Sequence, residues 1–155
     1  MNKRILKYLA ISGLLVGTIF GILGAIPYIG GFALFCVLFL SAPFVMLLLI
    51  MAGKLDLTTP KDSIVNGALT GFFANITFSF AYSIVVALLY ITTKFTTNYF
   101  LTAMIINSPV WLLIIIILFI GVLTATTNAF SGFLTYYIIN LIRDLYEKKH
   151  ADEDR

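Results

Sequence analysis

The sequence predicts an all-α integral membrane protein: a bundle of four transmembrane helices with both termini cytoplasmic and an interfacial helix in the third connection. Three observations carry that reading. Of the 155 residues, 61% are hydrophobic and only 11% charged, whereas soluble domains average roughly 25% charged residues. The apolar residues gather into four runs, at about 8–26, 32–52, 63–91 and 109–131, each long enough to cross a hydrocarbon core of about 30 Å. With four spans, nine of the ten basic residues share the side that holds the termini and only Lys94 lies on the other, the bias that marks a cytoplasmic face. Residues 1–149 therefore form one transmembrane domain and 150–155 a charged tail.

The first run follows Lys3, Arg4 and Lys7 and is longer than a signal-peptide core, with no small-x-small cleavage site after it, so it is expected to be an uncleaved span. Gly13, Gly17, Gly21 and Gly24 make a smooth groove down one side, the pattern that lets a second backbone approach closely. Pro27, Gly30 and Gly31 mark a tight hairpin. The second span carries Pro43 near its middle, which removes a backbone hydrogen bond and bends the helix, with Ser41 placed to help satisfy the freed groups.

Gly53 suits a helix stop, and Thr59-Pro60-Lys61-Asp62 a helix start: Thr59 as N-cap, Pro60 as the first helical residue and Asp62 three beyond the cap. The third helix that follows is polar on two faces. Ser63, Asn66, Gly67, Thr70, Gly71, Ala74, Thr77 and Ala81 share one, and Asn75, Ser79 and Ser83 another, at about 100° per residue. Hydrocarbon satisfies neither amides nor hydroxyls, so this helix is expected at the centre, touching protein or protein-held water on both sides. Between Thr92 and Ser108, the residues Phe95, Tyr99, Ala103 and Ile106 can share a face of a helix lying along the membrane surface.

Pro109 opens the fourth helix, with Trp111 at headgroup depth. Gly121, Thr124, Ala125, Asn128, Ser131, Gly132 and Thr135 form its small and polar face, and antiparallel packing on the third helix would set Asn66 beside Ser131 or Gly132, Thr70 beside Asn128, and Ala74 beside Thr124. Past the membrane, Leu134, Ile138, Leu141 and Leu145 continue at alternating four- and three-residue steps. They need apolar cover from the N-terminal segment or a second subunit.

The chemistry is narrow. Every Asp, Glu, Lys, Arg and His lies outside the four runs, so the usual carriers of proton relay, ion coupling and voltage sensing are missing from them. The only histidine, His150, is in the tail, and the only cysteine, Cys36, lies in an apolar run, which argues against a catalytic triad, a metal site and an intrachain disulfide. Neither a cofactor nor a metal is expected, and the net charge of +3 is accounted for by residues flanking the spans, not by a nucleic-acid surface.

Gly13, Gly17, Gly21, Gly24, Gly67, Gly71, Gly121 and Gly132 are the expected packing glycines, and Asn66, Thr70, Asn75, Thr77, Thr124 and Asn128, with Thr127, the candidates for interhelical bonds or a polar path. In size and charge layout the chain resembles small four-span proteins of bacteria, and its charged tail is similar to that of phage holins. The resemblance carries no site residue over. The expectation is a non-enzymatic structural, assembly or accessory subunit of the cell membrane, in a bacterial inner membrane, whose partners are the bilayer and copies of itself or another membrane protein. The alternative is a holin-like or transporter-like permeation protein, with the third and fourth helices lining the path. The sequence identifies no small-molecule ligand.

Overall fold

The structure, a computed structural model, describes residues 3–57 and 59–153, with side chains as far as residue 149. Every regular element among them is helical: α1 (Lys3–Gly24), α2 (Gly30–Phe35), a π-helical turn (Cys36–Leu40), α3 (Ser41–Met51), α4 (Pro60–Thr93), α5 (Tyr99–Asn107) and α6 (Val110–Glu153). Because α2, the π turn and α3 are continuous, four helices are long and apolar enough to cross a membrane: Lys3–Gly24, Gly30–Met51, Pro60–Thr93 and Val110–Lys149. The protein is a multi-pass helical membrane protein. The expected tail begins as an extension of α6, and its side chains lie outside the described residues.

Local chemistry sets the helix ends. α3 stops in a Schellman motif: Gly53, at φ +63°, donates its N–H to the Ile50 carbonyl at 2.9 Å, and Lys54 donates to Leu49 at 2.8 Å. Leu55 then turns inward and packs with Leu49. At the start of α4, Thr59 Oγ1 accepts from the Asp62 N–H at 3.1 Å and donates to the Asp62 carboxylate at 2.8 Å, with Pro60 in the first turn, as the sequence predicts. Pro109 precedes α6 instead of joining it, its carbonyl accepting from Leu112 and Leu113.

α4 is the central helix because glycines admit neighbours on two of its sides. Along α1, Gly13 faces the Thr70 carbonyl, Gly17 that of Ala74 and Gly21 that of Phe78, so the two helices run parallel. A Cβ on Gly13 would stand 3.0 Å from that carbonyl oxygen and one on Gly21 2.6 Å, while one on Gly17 would overlap the Ala74 backbone outright. Along α6, Gly132 meets Ser63, Gly67 meets the Asn128 backbone and Gly121 meets the Phe72 ring, so this pair is antiparallel. Small-residue contact of this kind is the main source of attraction between helices in lipid, where burying apolar surface gains little.

The α2–α3 helix returns antiparallel to α1, packing Ala33 and Val37 near Ala74 and Phe78, and Val45, Met46 and Leu49 near Leu9. One end of the molecule therefore gathers the beginning of α1, the end of α3, the beginning of α4 and the second half of α6. The other end holds the Ala25–Ile29 hairpin, α5 and the loop before it. α6 outruns the bundle at the first end, and Leu134, Ile138, Leu141 and Leu145 are 43%, 56%, 59% and 58% exposed. The described N-terminal residues do not cover them.

Candidate functional site

Two asparagines, both fully buried, define the polar interior: Asn128 on α6 and Asn75 on α4. Asn128 sits against the break in the second span. Pro43 has no N–H, and its ring crowds the carbonyl one turn back, so the regular ladder fails around it and the chain widens into the π turn at Cys36–Leu40. The Asn128 amide enters that gap. Its Oδ1 accepts from the Ala42 N–H at 2.8 Å, while Nδ2 donates to the Leu38 carbonyl at 2.8 Å, so one side chain bridges the two groups that an unbroken helix would have paired. Nδ2 also lies 3.0 Å from the carbonyls of Val37 and of Thr124, one turn back on its own helix. Thr127 adds a 2.7 Å bond from Oγ1 to the Leu38 carbonyl.

Ser41 Oγ lies 2.9 Å from both the Val37 carbonyl and Asn128 Oδ1, so it takes the local role that the sequence suggests for it, alongside the larger contribution from α6.

The polar faces of α4 and α6 meet within about one helical turn of the expected register: Gly67 and Gly71 lie on Asn128, and Gly132 lies on Ser63. Their hydrogen bonding differs from the expected pairing. Thr70 donates to the Asn66 carbonyl at 2.8 Å, Thr124 to Ile120 at 2.9 Å and Thr77 to Phe73 at 3.1 Å, each one turn back on its own helix. A helical threonine always has that carbonyl in reach, whereas an asparagine needs a partner with both a free donor and a free acceptor. The break at Pro43 supplies both, so Asn128 bonds to the second span and not to Thr70. Around Asn128 it is glycine fit, not amide pairing, that brings α4 and α6 together.

Asn75 belongs to a different environment. Its Nδ2 reaches the Ile117 carbonyl at 3.4 Å, a long bond to a group already inside an unbroken helix, and its Oδ1 has no partner. The amide orientation is fixed by that contact, because only the nitrogen can face a carbonyl. Asn75 lies on a cavity of about 440 Å³ together with Ser79 and Ser83, the second polar face of the third helix. Phe78 and Tyr82, stacked with centroids 6.0 Å apart, form one side. Leu101 and Met104 of α5 and Ile117 and Ile120 of α6 form others. Tyr28, Gly31 and Asn98 are exposed at the rim whereas Asn75 and Phe78 are buried, so the cavity opens at the hairpin end and closes at mid-bundle. Thr97, in the loop before α5, contributes a second unpartnered buried oxygen, Oγ1.

The sequence places Asn75, Ser79 and Ser83 on one face but not the walls opposite them. Thr97, Asn98 and the α5 residues join that face only through the fold back of α5 after Lys94, whose left-handed conformation at φ +56° ends α4. Among the described residues no group of three or more His, Cys, Asp or Glu side chains is disposed to hold a metal ion. No protein-family model, curated protein or solved structure matches the chain.

Proposed function

We propose that the protein is a non-enzymatic membrane subunit that works by association, with four spans, both termini in the cytoplasm and α5 lying along the opposite surface. The orientation rests on the nine basic residues at the end holding the termini against Lys94 alone at the other. The surface position of α5 fits its exposed Tyr99, Phe100 and Ile106.

The observation that carries the association reading is the stem of α6. Its exposed leucines and isoleucine match a heptad pattern with Ile138 and Leu145 at a, and Leu134 and Leu141 at d, the apolar seam through which two helices pair in a coiled coil. In that register Asp144 falls at g and Lys149 at the following e, the spacing at which opposite charges on two parallel copies meet. The occupant it fits is a second copy of the chain, related by a twofold axis along the membrane normal. The close fit of Gly67 and Gly71 on Asn128 favours this function over a permeation path between the third and fourth spans.

Single cysteines in a Cys36→Ala background test the reading in native membranes. Ile138→Cys, Leu141→Cys and Leu145→Cys are expected to form disulfide dimers on mild oxidation, and Arg143→Cys, on the far side of the stem, is not. An impermeant thiol reagent is expected to reach Tyr99→Cys and not Ile138→Cys in intact cells. Monomers at all three stem positions would end the proposal.

A further inference from the structure

The end of the molecule that holds the start of α1 and the turn after α3 concentrates the positive charge of the chain. Lys3, Arg4, Lys7, Lys54 and Lys61 stand there against Asp56 and Asp62, whereas from Arg143 onward four basic residues face five acidic ones. A positive bias sets the side of the membrane that basic residues occupy, but it does not require them to gather around one ring. Here two of them do. The Schellman turn at Gly53 sends Leu55 into the cluster that holds Leu9, and their neighbours Lys54 and Tyr8 meet on the outside, Lys54 Nζ standing 5.5 Å from the Tyr8 ring centroid, within cation–π range. Lys7, also exposed, precedes Tyr8 on α1. Of the two carboxylates, Asp62 is bonded to the Thr59 cap and Asp56 is exposed two residues beyond Lys54. Neither Lys7 nor Lys54 forms an ion pair with another described residue. Ile11, Leu15 and Ile22 continue the Tyr8 face of α1 and are all exposed, so cations, an interfacial ring and then about 20 Å of apolar surface follow one another down the helix.

We infer that this corner binds an anionic phospholipid, Lys7 and Lys54 taking its phosphate beside the Tyr8 ring and its acyl chain lying along Ile11, Leu15 and Ile22. Lysine stems lie on apolar surface while their ammonium groups stay at headgroup level, where each is attracted to anionic lipid. The Tyr8 ring holds one of the two ammonium groups in place beforehand, which reduces the freedom lost on binding. A zwitterionic headgroup brings its own cation to the phosphate and gains less from the lysines, and a soluble anion has no chain to hold it at that depth. The opposite end supplies an internal control: Lys94 lies 5.2 Å from the Tyr90 ring centroid, the same pairing, but it is the only basic residue there. The site requires neither the α6 stem nor a particular direction of insertion, so failure of self-association leaves it in place, and the reverse also holds.

The test uses the full chain in nanodiscs of equal phosphatidylglycerol and phosphatidylcholine with matched acyl chains, and counts by native mass spectrometry the lipids that stay bound. Phosphatidylglycerol is expected to outnumber phosphatidylcholine about twentyfold in the first lipid retained, and Lys7→Gln and Lys54→Gln each to lower that ratio about fivefold, the factor that corresponds to one lysine beside anionic lipid. Lys94→Gln and Lys148→Gln remove the same charge elsewhere and are expected to leave the ratio within about twofold of wild type, the effect of net charge alone. Glycerol 3-phosphate added in excess is expected not to change it. All four substitutions are at exposed positions, and each variant is checked for wild-type elution in detergent. Equal retention of the two lipids, a wild-type ratio in Lys7→Gln or Lys54→Gln, an equal fall in Lys148→Gln, or displacement by glycerol 3-phosphate would each overturn the inference.

Discussion

Asn128 and Asn75 are the same side chain, equally buried, on neighbouring helices, and they are treated in opposite ways. Asn128 faces a helix broken by Pro43 and satisfies both the donor and the acceptor that the break releases. Asn75 faces α6 where its ladder is intact, finds one long contact at Ile117, and keeps an oxygen without a hydrogen bond. A buried amide is therefore well satisfied when a neighbour's backbone has unpaired groups of both kinds, and left with an unmet atom when it does not. Glycine contacts with α4 close the bundle around the first asparagine, and the cavity that opens at the hairpin end reaches inward as far as the second.

Substitutions on each side of that contrast separate the two roles, and the largest effect belongs to the closed end. A Cβ on Gly71 would lie 2.5 Å from the Asn128 Cβ and 2.7 Å from its amide nitrogen, so it displaces the side chain that bridges Ala42 and Leu38. Gly71→Val is expected to cost about 3 kcal/mol, the upper part of the usual overpacking range, read as an earlier transition in dodecyl sulfate titration from mixed micelles. A wild-type transition would show that α4 and α6 do not approach as closely as drawn.

Next in size is Asn128→Leu, which keeps the branched shape of the side chain and removes the bridge. The Leu38 carbonyl keeps Thr127 and the Val37 carbonyl keeps Ser41, but the Ala42 N–H is stranded in the protein interior. The expected loss is about 2 kcal/mol, the cost of one unmet buried donor plus imperfect repacking. Hydrogen exchange at Ala42 gives a local check: exchange should accelerate there while the amides of α4 keep their protection. Uniform acceleration through all helices would mean that Asn128 supports the bundle at large and not the break in particular.

Much of this architecture was legible from residue order, and the exceptions have a common cause. Thr59 to Asp62, Gly53, the α1 glycines and both polar faces of the third helix depend on neighbours within a turn or on helical period, which the sequence displays directly. The partner of Asn128 does not. Its two bridging groups lie more than 80 positions away, at 86 and 90 residues, and become available only because the chain widens by a π turn, for which no residue type is specific. Assigning the groups freed at Pro43 to Ser41, its neighbour in sequence, leaves Thr70 as the natural partner of Asn128. The cavity was half legible for a similar reason: Asn75, Ser79 and Ser83 declare a second polar face, but its opposite wall is assembled by α5, whose placement depends on how the chain turns at Lys94.

The smallest effect, and the sharpest comparison, comes from making the same replacement at the other asparagine. Asn75→Leu removes an oxygen that has no partner and a nitrogen held only by a 3.4 Å contact, and the Ile117 carbonyl that loses this contact remains part of a regular helix. Exchanging a poorly satisfied amide for an apolar group of the same branched shape is close to neutral, so stability in the same titration is expected to stay within about 0.5 kcal/mol of wild type. The sign of the difference between the two leucine variants is the informative quantity. If Asn75→Leu were as damaging as Asn128→Leu, Asn75 would have to be satisfied by groups that a lone chain does not supply, such as ordered water fixed in the cavity, and the open end would be as structural as the closed one. A neutral Asn75→Leu beside a destabilised Asn128→Leu would instead leave the Asn75 amide dispensable to the fold, as its unpaired oxygen and single 3.4 Å contact predict.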